Sequence, residues 1–246
     1  MDIKEQIINA LRESDINFDS LCEEEHDIVE EYLTHTIVDT KLSFDSGISK
    51  LVIFVQGEPF VIKIPYTKLF DDESYNSDLS YWENEDSEEY PEPEREEYYQ
   101  NFEFATSLEV ETTSNWDYCE LECAFYEKAY EEGLAQYFAK EELYAIVKNH
   151  PIYIQEKVTP LEFQKAAFDN NSFKKFDSTR QRCSDLKVKC FSSRWITDFF
   201  DYYGEQEFIK LSNFLEKMKI YDLHEGNLGY YCGAPVLIDY SDFREW

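Results

Sequence analysis

The chain has 246 residues, 43% of them apolar and 17% aromatic, with 19 Tyr and 19 Phe. That is enough apolar mass for one or two packed domains, and it excludes a wholly disordered chain. Lys and Arg total 23 against 53 Asp and Glu, a formal charge of -30, which excludes broad binding to DNA or RNA through the phosphates.

The charge is uneven. Residues 151–246 hold 13 basic and 15 acidic side chains, a net of -2, so residues 1–150 hold 10 and 38, a net of -28. The acidic half reads either as a solubility device or as a face for a basic partner. No apolar run reaches the roughly 18 residues that span a bilayer. Met1 to Asp19 lacks the basic start and apolar centre of a signal peptide. A cytoplasmic protein without membrane contact is expected. The cysteines Cys22, Cys119, Cys123, Cys183, Cys190 and Cys232 form no CxxC pair, and the histidines lie far from Cys119 and Cys123 in sequence, so no zinc site is expected. His26 and His35 read as surface residues.

Apolar spacing of three and four predicts helices over 3–13 and 22–34, the second from the recurrence of Ile28, Val29, Tyr32 and Leu33, with Asp19 or Ser20 as its cap. The β-branched runs Lys50–Val55 and Phe60–Ile64 flank Gln56-Gly57-Glu58 and predict a hairpin, preceded by a strand at 41–44. Residues 71–97 hold 13 Asp or Glu and one Arg, with two prolines, and read as a solvated insertion within 71–115. Tyr75, Tyr81, Trp82 and Tyr90 leave open a folded or partner-binding segment there. A long helix is expected over 116–139, with Gly133 ending or bending it. Strands follow at 144–147 and 152–158 around a turn at Asn149-His150-Pro151, then a helix at 161–168. Residues 170–190 read as a basic loop, and helices are expected at 195–203 and 205–218. A short hairpin, 228–231 and 236–240, turns at Cys232-Gly233-Ala234-Pro235.

The sharpest chemical signal is Tyr221-Asp222-Leu223-His224-Glu225-Gly226-Asn227, followed after the hairpin by Ile238-Asp239. This resembles the catalytic loop and metal-binding segment of the protein-kinase-like superfamily, in wording nearest the atypical, aminoglycoside-phosphotransferase-like members. The resemblance covers about residues 41–70 and 116–243. It implies an α+β bilobal fold: an antiparallel N-lobe sheet with one long helix over 41–158, a reduced, mainly helical C-lobe over 159–246, and a helical extension over 1–40. It also implies ATP and Mg2+ as cofactors. Asp222 then orients the acceptor hydroxyl and takes its proton, and Asn227 and Asp239 supply the hard oxygen ligands that such a cation prefers. Lys63, in Phe60-Val61-Ile62-Lys63, matches the lysine that holds the α/β-phosphates. Glu122 is its implied partner, preferred over Glu120 and Glu127 because Phe125 and Tyr126 follow at +3 and +4. Gln155 and Lys157 fall where the family reads adenine through backbone groups. His224 is open between loop packing and a phosphate contact.

The pattern departs in three places. The phosphate loop, Asp45 to Lys50, has one glycine, so Ser46, Gly47, Ser49 and Lys50 are left to form a short cradle. Tyr221 replaces the Arg before the catalytic Asp, so control by activation-loop phosphorylation is not expected. Seven residues follow Asp239, too few for the segment that seats a peptide, and the N-terminal helices are expected to cover surface those missing elements would protect. Two functions are therefore expected in turn. One is an ATP-dependent phosphotransferase acting on a small-molecule or protein hydroxyl. The other is a catalytically inactive, acidic kinase-fold binding protein, of a kind suited to a phage or mobile element, that blocks a basic or nucleic-acid-binding host partner.

Overall fold

The computed structural model describes residues 2–18, 21, 26–47, 49–66, 108, 117–160, 170–188, 195–221 and 223–241. The predicted helix at 161–168, the acidic run at 71–97 and Asp222 lie outside these residues. The described chain is α+β, with a five-stranded antiparallel sheet and six α-helices. No helix among the described residues is long and apolar enough to cross a membrane.

Helix α1 (Ile3–Glu13) is capped by the Asp2 carboxylate, which accepts the Lys4 amide at 3.4 Å, and Ser14 Oγ closes its end on the Leu11 carbonyl at 2.7 Å. Helix α2 is His26–Thr36, two residues beyond the expected end. Val29 and Leu33 are buried, but Ile28 is 52% exposed, so the apolar stripe is narrower than its spacing implied.

The sheet is built from β1 (Leu42–Ser46), β2 (Lys50–Val55), β3 (Phe60–Pro65), β4 (Glu141–Val147) and β5 (His150–Glu156), in the order β1-β2-β3-β5-β4. Strand β4 starts three residues earlier than its β-branched run suggested. The turn before β5 uses Lys148 and Asn149, both at positive φ, and leaves His150 and Pro151 inside the strand.

Between β3 and β4 comes α3 (Tyr118–Glu131). It stops eight residues short of the expected end, because Gly133 takes φ 73 and the chain passes into a 3-10 turn, Ala135–Tyr137. A second sheet, β6 (Thr159–Pro160), β7 (Leu228–Tyr231) and β8 (Ala234–Leu237), pairs in that order. Gly229 sits where a Cβ would meet Val158 Cγ2 at 2.5 Å and the Thr159 carbonyl at 2.9 Å, so the β6–β7 contact requires glycine.

The basic loop expected at 170–190 is instead mostly helix: α4 spans Asn170–Leu186. The segment contains no Gly or Pro, and Thr179 and Cys183, four apart, are both buried on one side. Its charges misled because they line the exposed side. Helices α5 (Trp195–Tyr203) and α6 (Glu205–Lys217) follow as expected, separated by Gly204 at φ 83.

Two apolar cores result. One joins α1 and α2 to one face of the sheet: Ile7, Leu11, Val29 and Leu33 meet Leu51, Ile53, Ile62, Ile64 and Ile152. The N-terminal helices therefore roof the N-terminal sheet, which corrects the expectation that they shield the C-terminal part. The other core joins Leu121, Phe125 and Ala129 of α3 to α5, α6 and the second sheet, and Ala139 N donates to the Leu237 carbonyl at 2.8 Å. The second face of the main sheet, opposite α3, is where the polar residues collect.

Candidate functional site

Strand parity places the site. On β2 the odd residues Leu51, Ile53 and Val55 belong to the α1/α2 core, so Lys50 faces the other way. On β3, Phe60, Ile62 and Ile64 belong to that core, and Lys63 faces away from it. On β5, Ile152 and Ile154 do the same, leaving Tyr153 and Gln155. Val52 lies opposite Lys63, Val61 opposite Gln155, and Glu141 opposite Gln155. Five polar side chains of one sheet face, Lys50, Lys63, Glu141, Tyr153 and Gln155, therefore look at α3.

Helix α3 is apolar on one side and supplies Glu122 on the other. Lys63 Nζ donates to Glu122 Oε2 at 2.7 Å and to Glu141 Oε2 at 2.6 Å. Lys50 Nζ donates to Glu122 Oε1 and, at 2.9 Å, to Asp239 Oδ1. Gln155 Nε2 reaches Glu122 Oε2 at 3.2 Å, Glu141 Oε2 at 2.8 Å and the Ile238 carbonyl at 2.8 Å. Ser241 Oγ adds a hydrogen bond to Glu122 Oε1 at 3.2 Å. Lys50, Lys63, Glu122, Glu141, Gln155 and Ser241 are all buried, whereas the Asp239 side chain is 44% exposed. Asp239 is thus the open edge of a closed network.

Burial alone would lower the pKa of either lysine. The neighbouring carboxylates outweigh it: Asp239 and Glu122 hold Lys50 well above its ordinary value, and Glu122 and Glu141 raise Lys63. Burial and the Glu141 carboxyl push Glu122 up against the pull of both lysines. Glu141 Oε1 is buried and accepts no hydrogen bond, the expected weak point of a cluster with three carboxylates and two ammonium groups. Cys119, on the same helix, is buried and its thiol is pushed well up by that burial, so it is no nucleophile at neutral pH.

The helix is itself fixed to the sheet. Asp117 caps α3, accepting the Glu120 amide at 2.9 Å, and its second oxygen accepts the Tyr153 hydroxyl at 3.0 Å. Burial, partly offset by the hydrogen bond from the Glu120 amide, raises the Asp117 pKa to about 7.

Of the residues singled out from the sequence, Lys50, Lys63, Glu122, Gln155 and Asp239 meet on this network. Of the rivals to Glu122, Glu127 is exposed, and Glu120 is buried but has no part in the contacts to Lys50 or Lys63 described above. Asn227 is buried, in a 3-10 turn at Glu225–Asn227, and its carbonyl accepts the Ile238 amide at 3.0 Å, which brings it beside the Asp239 backbone. His224 Nδ1 accepts the Gly226 amide at 2.9 Å, so its ring caps that turn.

Gln155 and Lys157, expected to read adenine through backbone groups, lie at the end of β5 and just beyond it. Gln155 lies inside the β3–β5–β4 ladder with its side chain on the carboxylates. The Lys157 amide donates to the Pro59 carbonyl at 2.9 Å, and Lys157 Nζ to the Val55 carbonyl at 3.3 Å. In the short cradle, Ser46 Oγ bonds the Tyr66 hydroxyl at 2.8 Å, the same hydroxyl donates to the Gly47 carbonyl, and the Ser49 carbonyl accepts the Tyr66 amide at 3.0 Å. Lys50 is not in the loop at all; it is the first residue of β2, pointing inward.

Sequence reasoning did not find Glu141, the side-chain role of Gln155, the inward set of Lys50 or Ser241. Parity carried the signal for Lys50, two positions from the residue opposite Lys63. Glu141 was illegible because it preceded the β-branched run used to find β4. Among the described residues, His26, Asp27 and Glu30 also lie close enough to share a cation, on the exposed side of α2 and away from this network. Comparison with protein-family models, with curated proteins and with solved structures returned no match.

Proposed function

We propose that the chain is an ATP- and Mg-dependent phosphotransferase of protein-kinase-like fold, acting on a small-molecule or protein hydroxyl. The observation that carries this reading is the joining of positions 63, 122 and 239. Lys63 Nζ lies 2.7 Å from Glu122 Oε2, and Glu122 in turn shares Lys50 with Asp239. Three strands, a helix, a hairpin pairing back on β3, and a later small hairpin ahead of Asp239 give the chain order that the sequence resemblance implies. Buried ion pairs seldom repay their desolvation through stability alone, so a cluster of this size favours a functional origin.

The donor set suits a small hard cation: one carboxylate on the exposed edge and one carboxamide on the adjacent turn. Bound there, Mg2+ supplies charge neutralisation for the phosphates. Asp239 and Asn227 hold it, Glu122 fixes the lysine geometry, and Asp222 accepts the proton of the acceptor hydroxyl.

A second reading, a binding protein without catalysis, draws on the Lys50–Asp239 ion pair, which already occupies the carboxylate expected to hold the metal. In that case the -28 half occupies a basic surface on a partner. Calorimetry with millimolar ATP and Mg2+ tests the first reading: heat of binding is expected, weakened by Asp239→Ala. An absence of heat discards it. Salt-sensitive capture of a basic protein that survives Lys63→Ala then supports the second.

A further inference from the structure

We infer that Lys50, not Lys63, is the cation that meets the nucleotide phosphates, and that Lys63 is a positioning residue for Glu122 and Glu141. The inference rests on the phosphotransferase reading and refines its site.

The two lysines occupy opposite ends of one network. Lys63 is the inner one. Two of its three donors are spent on Glu122 and Glu141, whose side chains are 0% exposed. A triphosphate drawn toward Lys63 would enter the field of two buried carboxylates, and like charges at short range in a water-poor site repel strongly. Lys50 is the outer one. Its second partner is Asp239, the 44% exposed carboxylate. An anion arriving on the solvent side of Asp239 meets Lys50 first.

Placement in the chain agrees. Lys50 follows Ser49 directly, and the Gly47 amide donates to the Lys50 carbonyl at 3.1 Å. The cation and Gly47 of the expected phosphate cradle are therefore tied to each other by backbone pairing at the end of β1 and β2. Lys63 sits on the next strand, opposite Val52 and two residues further into the sheet.

This arrangement also gives Lys50 two alternative partners. Without nucleotide it neutralises Asp239. Drawn onto a phosphate, it stays tethered to Glu122 and releases Asp239 Oδ1 to a hard cation. Lys63 does not move, because both its carboxylates are buried.

Calorimetry with ATP and Mg2+ on the full chain, its Lys50→Met variant and its Lys63→Met variant tests this, with thermal melts of each. Lys50→Met is expected to melt below the parent, since it too takes a cation from buried Glu122, and its ATP affinity is expected to fall by about tenfold or more, as for loss of a charge-assisted bond. Lys63→Met is expected to melt lower, because Glu141 loses its cation, and to lose less ATP affinity than Lys50→Met does, since it acts on the nucleotide only through Glu122. The reverse pattern overturns the inference and leaves the phosphotransferase reading standing. An absence of binding by the parent chain overturns that reading, and this inference with it.

Labelling the parent chain with an acyl-phosphate derivative of ATP gives a readout independent of variant folding. The Lys50 ammonium first gives a proton to solvent, the free ε-amine attacks the acyl carbonyl, the acyl–phosphate C–O bond breaks, ATP leaves and the new amide nitrogen yields its second proton to solvent. Acylation of Lys50, suppressed by excess ATP, is expected. Acylation of Lys63, or of neither lysine in protein that binds ATP, overturns the assignment.

Discussion

Glu122→Gln removes the carboxylate that touches both buried lysines. In the parent chain its two oxygens accept from Lys50, Lys63, Gln155 and Ser241. After the change Lys63 retains Glu141 and Lys50 retains Asp239, so neither ammonium is stranded. Breaking a buried pair outright costs about 3–5 kcal/mol, and one charge-assisted hydrogen bond is worth about 1.5–3 kcal/mol. With partners left for both lysines, the expected loss is about 3 kcal/mol, near the lower end of the first range. For a chain of this length each kcal/mol moves the melting temperature by about 2–4 °C, so a drop of about 6–12 °C is expected. Thermal melts and urea titration at pH 7 measure it, with Glu127→Gln as the control, because Glu127 is exposed and its change is expected to fall within about 0.5 kcal/mol. A loss below about 1 kcal/mol for Glu122→Gln, or equal losses for the two variants, would refute the view that Glu122 is the hub of the network.

Asp117 makes stability depend on pH. Its pKa is raised from 3.8 to about 7 in the folded chain, so the native state binds a proton more tightly than the unfolded one. Stability is therefore greatest below about pH 4 for this group, declines as pH rises toward 7 and levels off above, by at most about 4 kcal/mol at about 1.4 kcal/mol per unit. Asp117→Asn keeps a capping oxygen and is expected to flatten this slope in urea titrations between pH 5 and 8; an unchanged slope excludes Asp117 as its source. Leu11 is fully buried between α1 and the sheet, and Leu11→Ala is expected to cost about 2–5 kcal/mol by chemical denaturation. A neutral result would show that the N-terminal helices do not complete the core of the sheet.

The sequence by itself determined the elements whose apolar period was unbroken: α1, the β2–β3 hairpin, α5 and α6 follow the pattern of side chains that must leave water. Local chemistry also marked Gly133 as the stop of α3, though not how short the helix would be. It misjudged α4, where exposed lysines and arginines hid the buried Thr179 and Cys183, because a charged surface looks the same on a helix as on a loop. Only the tertiary structure decided what α1 and α2 cover, since an amphipathic helix specifies that it needs an apolar partner and not which one. It alone decided that Lys50 and Glu141 join the Lys63–Glu122 pair. Those residues come from four separate elements, and their meeting depends on strand register and on which sheet face α3 occupies, quantities set by long-range packing and absent from any local window of the chain.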